Sequence, residues 1–527
     1  MPSARPREVQ PLAHVASLLL PALVAGPLKK LAERVAQADG HPERAARVQR
    51  TLQALTGRLL APGGWTAGTR NAGAEPLCTG RAHPYEESSL RKAARAFSAS
   101  GAVGFTERLL EQQVHRAVGK KEVTAYTDLF DQVYWTKKPA HAGPIGGLGN
   151  RLLAATYFGL TFVQSARGPN LAYHVSWHKP ASPLFVGLQA LHAERTRSAW
   201  LTQHVTLHAL DRGTQGDPTL RWALDHGIPY LTPAKDAVRW RRYRQPTHHT
   251  PSGVPIFERA DDRLKKVTVL PETKAVAPRI IVFPARPEKG QQDGRAIVYR
   301  TAAAVSDEQI QALDEVYKAR WPNNENPIKA LKAVGFGVNR DRTLERTTSS
   351  GQDVAKARVE EKIRELDGQM QKHVPAQDHL LVPNEWRAFL TLLKKRRGQE
   401  KKRKKLEAEP VTKGARSNRG GEMLCKGLTL LLYNALALVL WRSPLAEVQR
   451  MTAARVGELL LHRATLVNVA EGRMTMWVEA MADPLDQRHQ EELVRLMNDA
   501  RLENRGAPIR FHIRDPALKM QALRVVA

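Results

Sequence analysis

The sequence predicts a protein of the mixed α/β class. Between residues 121 and 235, short apolar strands alternate with helical segments, which is the pattern of a mixed sheet. Of the 527 residues, 42% are hydrophobic, which is enough to bury substantial cores. A chain of this length exceeds one simple domain, so several regions are expected.

Residues 1–120 predict a helical region. Leu, Ala and Val recur at helical spacing over residues 8–58 and 88–118, while residues 60–87 are rich in Gly, Pro and Thr and predict a linker. The apolar run at residues 15–25 imitates a signal peptide, but Lys29 and Lys30 follow at once. A helix of a cytoplasmic protein is therefore favoured.

Residues 121–235 supply the candidate strands of the main sheet. Asp217 with Pro218 predicts a helix start, and that helix should end near Gly227. The candidate strands lie at residues 123–128, 152–163, 171–177, 205–210 and 228–232.

Residues 236–305 do not continue the alternation of strands with helices. Candidate strands at 266–270, 279–283 and 296–299 are separated by Pro and Gly, which predicts a β-rich insertion. Residues 306–345 then begin with a helix that Pro322 should end or kink.

The C-terminal third divides into two regions. Residues 346–421 predict long charged helices. Residues 394–405 carry nine basic side chains, which either bind DNA phosphates, act as a localisation-like tract or form a solvated helical surface. Residues 422–527 predict helices followed by a hairpin, a helix and a strand, which together form an α+β module. The apolar run at 427–441 is too short for a membrane span and predicts a buried helix.

The composition indicates a polyanionic partner. Lys and Arg number 81 against 52 acidic residues, which gives a formal net charge of +29. Solubility alone needs far less charge, whereas nucleic-acid binding commonly uses such an excess. The two cysteines, Cys78 and Cys425, are too far apart for a zinc finger or a disulfide framework. A reducing compartment without a membrane partner is expected.

Three carboxylates stand at positions suited to metal chemistry. Asp128 lies in a candidate strand, Asp211 ends another, and Glu325 lies in the segment after Pro322. Oxygen donors of this kind are preferred by Mg²⁺, and a pair of ions held by them can cleave phosphodiester bonds. Asp131 is an alternative first ligand; Asp217 is nearby but fits a helix cap.

Basic and aromatic side chains surround Glu325. Lys329 and Lys332 follow it by four and seven residues, so they share its face in a helix. Tyr317 and Arg320 share a face about one turn earlier. This pattern predicts contacts to the phosphates of a DNA backbone beside the metal site.

These residues carry a family resemblance. Tyr317-x-x-Arg320-Trp, with Glu325-Asn-Pro-Ile-Lys after it, resembles the signature around the catalytic glutamate of DDE transposases from bacterial insertion sequences. Tyr-Thr-Asp128 and Leu-Asp211-Arg resemble the regions of the two catalytic aspartates, and the likeness covers about residues 90–520. The family usually has three residues between the arginine and the glutamate, where this chain has four, and often a glycine where Leu129 stands.

The resemblance implies a fold and an activity. It implies an RNase H-like mixed sheet core in residues 121–235 and 306–345, interrupted by the β-rich insertion. Asp128, Asp211 and Glu325 would bind two Mg²⁺ ions, with Mn²⁺ as a substitute, and a homodimer would act on double-stranded DNA at transposon ends and target. The alternatives are a catalytically silent DNA-binding protein derived from a transposase and an RNase H-like nuclease.

Overall fold

The molecule, represented by a computed structural model, has a mixed α/β architecture with a large mixed sheet and a smaller one, which confirms the predicted class. The structure describes residues 10–12, 16–60, 75–134, 143–145, 153–178, 200–211, 216–234, 245–249, 253, 255–264, 275–283, 297–304, 307–336, 342–347, 350–372, 383–408, 412–463, 465–470 and 472–514.

The N-terminal region is helical, as predicted, after a short strand β1 (Gln10–Leu12). Its helices are α1 (Ala16–Leu23), α2 (Ala25–Ala38), α3 (Ala45–Gly57), α4 (Glu75–Thr79), α5 (Glu87–Ala99) and α6 (Ala102–Val118). Helix α4 lies within the predicted linker. Its Glu75 accepts hydrogen bonds of 2.9 and 2.7 Å from the buried guanidinium of Arg58. That part of the linker prediction is wrong, because this ion pair packs the segment into the core.

The large sheet is built around β2. Its first strands are β2 (Val123–Tyr134), β3 (Gly143–Ile145), β4 (Leu153–Ser165), β5 (Leu171–His178), β6 (Val205–Leu210) and β7 (Tyr230–Pro233). Strand β4 is antiparallel to both β2 and β5, whereas β2, β6 and β7 run parallel. The resulting order is β5-β4-β2-β6-β7.

Two helices accompany these strands. Helix α7 (Trp200–His204) leads directly into β6, and α8 (Asp217–Asp225) connects β6 to β7. Helix α8 ends two residues before Gly227, whose φ of 64° is readily adopted only by glycine. The predicted helix between Asp217 and Gly227 is therefore confirmed.

The predicted β-rich insertion extends the same sheet. Its strands are β8 (His248–His249), β9 (Pro255–Ala260), β10 (Ala275–Phe283) and β11 (Ile297–Ala303). Strand β11 pairs antiparallel with β7, and β10 and β9 follow outward. This pairing satisfies the edge of β7, which would otherwise carry open hydrogen-bonding groups. The candidate strand at 266–270 lies outside the described residues.

One helical path contains the sequence from Tyr317 to Lys332. Helix α9 (Asp307–Lys318) leads to a π-helical turn, Trp321–Glu325, and then to α10 (Asn326–Ala333). The N–H of Asn326 bonds to the carbonyl of Trp321, five residues earlier. The regular α-helix ends at Lys318, before Pro322, as predicted, and the wider π-helical turn then carries the helical path across the proline.

A helical hairpin follows on a two-stranded base. It contains β12 (Arg342–Thr347), α11 (Ser350–Gln371), α12 (Pro383–Ala408) and β13 (Thr412–Ser417). Strands β12 and β13 pair antiparallel along their whole length. On α11, Val359, Ile363 and Leu366 are buried at spacings of three and four residues, which is the seam expected for a packed helix pair.

The C-terminal region begins with the long helix α13 (Arg419–Leu440). This helix is long and apolar enough to cross a membrane, but 83% of its apolar window is buried inside the protein. It packs against α5, α6 and β5, and a side chain at Gly427 would meet Thr106 of α6 at 2.6 Å. The predicted buried helix is confirmed.

The smaller sheet lies in the predicted α+β module. After α14 (Ala446–Gln449) and α15 (Ala453–Val456), its elements are β14 (Thr465–Ala470), β15 (Arg473–Glu479), α16 (Pro484–Asp499), β16 (Glu503–Asn504) and β17 (Ala507–Arg514). Strands β14 and β15 form the predicted hairpin, and β17 runs parallel to β15. Strand β1 pairs with β14, so the N-terminal and C-terminal regions share one sheet.

Candidate active site

Two of the predicted carboxylates lie at the same level of the large sheet. Strands β2 and β6 run parallel with Thr127 opposite Leu210. Asp128 on β2 and Asp211 directly after β6 are the next residues, so they come side by side on one face. Because β6 ends at Leu210, the Asp211 side chain is 38% exposed, against 19% for Asp128.

The third carboxylate is brought to this face by the helical path that carries it. Tyr126, Asp128 and Phe130 alternate along β2 and therefore project from the same face. The amide of Asn323 donates to the hydroxyl of Tyr126 at 3.4 Å, and the ring of Phe336 lies 5.2 Å from that of Phe130. These contacts fix the helical path along β2.

The guanidinium of Arg320 joins the three carboxylates. Its Nη1 lies 3.1 Å from Asp128 Oδ2. Its Nη2 lies 3.1 Å from Asp211 Oδ1 and 2.6 Å from Glu325 Oε1. Because the last two oxygens share one nitrogen, they are at most about 5.7 Å apart. The structure therefore brings Asp128, Asp211 and Glu325 into one cluster.

The π-helical turn places Glu325 within reach of Arg320. In a regular α-helix, residues five apart point about 140° away from each other. The π-helical turn has more residues per turn, so the two side chains return to the same side. Arg320 and Glu325, five residues apart, are brought together in this way.

The turn is supported by Asn170, which sequence reasoning missed. Pro327 has no N–H to give to the carbonyl of Asn323, four residues earlier. The side-chain amide of Asn170 donates to that carbonyl instead, at 2.6 Å. Asn170 lies in the loop between β4 and β5, where no local pattern indicates such a role.

Arg320 and Tyr317 lie together, as their spacing predicts. The Arg320 guanidinium carbon is 5.7 Å from the centre of the Tyr317 ring, which itself packs on Tyr299 of β11. Burial raises the pKa of Tyr317 to about 12. Burial alone would lower the pKa of Arg320, but Tyr317 and the three carboxylates hold it above its ordinary value. Arg320 is therefore charged at any physiological pH.

The two predicted DNA-binding lysines lie on the exposed side of α10. Lys329 Nζ is 5.1 Å from the ring centre of Trp321, and Lys332 Nζ is 5.6 Å from that of Phe130. Both side chains are exposed to solvent. Phe130 is two residues from Asp128 on β2, so Lys332, which lies over the Phe130 ring, is on the surface beside the cluster.

Asp217 and Asp131 are the other carboxylates that the sequence offered near the site. Asp217 accepts a 2.7 Å hydrogen bond from Arg300 of β11, which also bonds Asp261 at 2.7 Å. Asp217 thus belongs to a second ion-pair group and stands in the first turn of α8. The side chain of Asp131 lies outside the part of the chain that the structure describes.

A buried polar network supports the strands beneath the cluster. Thr127 Oγ1 lies 2.6 Å from His208 Nε2 and 2.9 Å from Thr161 Oγ1. These three residues tie β2 to its neighbours β6 and β4, one residue from Asp128. Sequence reasoning missed this network, because Thr and His in apolar strands give no distinctive signal.

The donor set fits a hard divalent cation. Three carboxylates face one guanidinium, so negative charge exceeds positive charge among these four side chains. With the side chains as they stand, no group of three His, Cys, Asp or Glu in the described residues is arranged to hold a metal ion. At the cluster, the guanidinium of Arg320 takes the place between the carboxylates.

The arrangement combines a compact acidic cluster with exposed basic side chains on a strongly basic protein. Such a site can bind cations and a phosphate backbone side by side. Comparison with models of known protein families and with curated proteins finds no match to this chain.

Proposed function

We propose that this protein is a DNA transposase of the DDE type, which cleaves transposon ends and joins them to target DNA. The observation that carries the proposal is the meeting of Asp128, Asp211 and Glu325 at one guanidinium. The order and directions of β5-β4-β2-β6-β7 support an RNase H-like core. The resemblance of the sequence around Glu325 supplies the reaction class.

The three carboxylates would hold two Mg²⁺ ions, and Mn²⁺ fits the same donors. Bound ions of this kind activate water or a 3′-OH and neutralise charge on the leaving oxygen. Arg320 balances part of the carboxylate charge in the free protein. In the complex it would turn toward a phosphate of the DNA, for which its planar fork is well suited.

The surface around the cluster would position the substrate. Tyr317 borders it beside the central Arg320, and Lys329 and Lys332 lie exposed on α10. The net charge of +29 favours double-stranded DNA as the partner. The N-terminal helices and strands β8 to β11 would recognise the transposon ends, in a cytoplasmic homodimer assembled on the DNA.

The test uses supercoiled plasmid that carries the terminal repeats flanking the gene, with Mg²⁺ or Mn²⁺. The proposal predicts nicked and linear plasmid, followed by joined products. Cleavage that ignores the repeats and yields no joining would favour an RNase H-like nuclease. Tight binding to the repeats without cleavage under either metal would favour a silent DNA-binding protein.

A further inference from the structure

The long helix that follows the helical hairpin contacts the helical path that carries Glu325. Strand β13 ends two residues before α13, whose buried Lys426 donates to the carbonyl of Phe336 at 2.5 Å. Phe336 lies just after the helical path that carries Glu325, and its ring packs on that of Phe130. The C-terminal end of the hairpin is thus connected, through α13, to the surroundings of the acidic cluster.

The arginines on the inner side of α12 are paired with carboxylates. Along α12, the partly buried side facing α11 includes Leu392, Arg396 and Arg403. Arg396 pairs with Asp367 of α11 and with Glu400 at 2.7 Å, and Arg403 pairs with Glu407 at 3.5 Å. These inner arginines are thus held by carboxylates within the hairpin.

The outward face of α12 is basic over its second half. The exposed basic side chains fall within one half of the helix circumference at 100° per residue. These side chains are Lys394, Lys395, Arg397, Lys401, Lys402, Lys404 and Lys405. Within the residues that the structure describes, none of the seven pairs with a carboxylate. This half of α12 is the one joined to β13 and hence to the core.

We infer that this basic face binds the phosphate backbone of duplex DNA that runs past the active site. The face extends over about 17 Å, from Lys394 to Lys405, at 1.5 Å per residue. Over that length a duplex presents about ten phosphate charges. Between Lys394 and Lys405 the exposed side chains are all Lys or Arg, which suits contact with phosphates rather than bases. The choice of DNA as the polyanion rests on the proposed function.

The contact stripe is defined by Lys394, Arg397, Lys401 and Lys405. Their spacings of three, four and four residues place them in one line along the exposed face. The test variant changes all four to Gln, which is a good helix former and preserves α12. The matched control changes Lys356, Arg358, Lys362 and Arg364 of α11 to Gln, with the same loss of net charge from the same hairpin.

The experiment measures binding of the full chain to a duplex without transposon sequence, in EDTA, over a range of salt. Each lost phosphate contact removes about 0.9 from the slope of log K against log salt. The stripe variant should lose about 3.6 units of slope and bind at least about a hundredfold more weakly near 0.1 M salt. The control variant should lose less than about one unit. Circular dichroism confirms that both variants keep their helices.

Three results would overturn the inference. They are an unchanged slope in the stripe variant, equal losses in both variants, and a loss confined to an RNA duplex of the same length. Plasmid cleavage by the wild-type chain is scored separately. A reduced slope together with an inactive wild type would support the DNA-binding face and reject the proposed enzyme.

Discussion

If the proposed function is correct, Arg320 and a divalent cation compete for the same carboxylates. The Arg320 side chain is 7% exposed and contacts Asp128, Asp211 and Glu325, whose side chains are 18–38% exposed. Solvent therefore screens these pairs in part. We assign the interaction of Arg320 with the carboxylates about 2 kcal/mol, a value between those of exposed and buried ion pairs. Arg320→Gln removes the competing charge. Because 1.4 kcal/mol is a factor of ten, affinity for Mn²⁺ should rise about thirtyfold.

The assay is a calorimetric titration of the full chain with Mn²⁺ in the absence of DNA. Lys318→Gln is the matched control, because it removes one positive charge from the same helical path at a side chain paired with Asp314. The control should change Mn²⁺ affinity less than about threefold, since exposed charges are strongly screened. Arg320→Gln should also bind DNA more weakly, so its effects on the two ligands have opposite signs.

Unchanged or weaker Mn²⁺ binding in Arg320→Gln would refute this reasoning. An equal gain in both variants would contradict it as well, because the effect would then come from net charge. Arg320→Lys adds a further comparison. It keeps the charge but loses the two-nitrogen fork, so its affinity for Mn²⁺ should lie between those of the wild type and Arg320→Gln.

Further predictions concern DNA binding and stability. Lys329→Ala and Lys332→Ala should each flatten the salt dependence of DNA binding by about one unit, whereas the slope of Lys318→Ala should change less. Burial raises the pKa of Tyr317 to about 12, from about 10 in an unfolded chain. The phenol therefore ionises more readily in the unfolded chain, and the free energy of unfolding should fall as the pH rises from about 10 to about 12. Tyr317→Phe should therefore lose less stability than the wild type over that range in chemical unfolding. Glu75→Gln should lower the free energy of unfolding by about 3–5 kcal/mol, because it removes a carboxylate from a buried guanidinium, and a smaller loss than about 1 kcal/mol would contradict the packing described for α4.

Much of the sheet could be predicted from local pattern. Strand β6 has the predicted bounds, and β5 differs by one residue at its end, because their apolar runs are bounded by polar residues. Helix α8 was marked by Pro218 near its start and Gly227 after its end. In such segments the local signals and the tertiary packing agree.

The remaining features depend on distant partners. The π-helical turn across Pro322 is supported by Asn170 and Tyr126, which lie far away in sequence. The burial of Glu75 depends on Arg58, which follows α3 and lies 17 residues earlier in the sequence. The joining of β11 to β7 likewise satisfies a sheet edge that no local pattern reveals. Site residue types could be predicted, but the central place of Arg320 among the carboxylates could not.

Strand cleavage by carboxylate variants tests the central claim most directly. Glu325→Gln keeps the shape of the side chain but removes one negative charge from the cluster. Glu315→Gln is the matched control, since Glu315 is exposed on the preceding helix. The DNA substrate carries the terminal repeats, and cleavage is followed with Mg²⁺ and with Mn²⁺.

The proposed function predicts that Glu325→Gln cleaves more slowly by several orders of magnitude while its DNA affinity stays nearly unchanged. Glu315→Gln should cleave at the rate of the wild type, and Mn²⁺ should restore part of the activity of Glu325→Gln. Equal cleavage by the wild type and Glu325→Gln would contradict the assignment of the acidic cluster as the catalytic site.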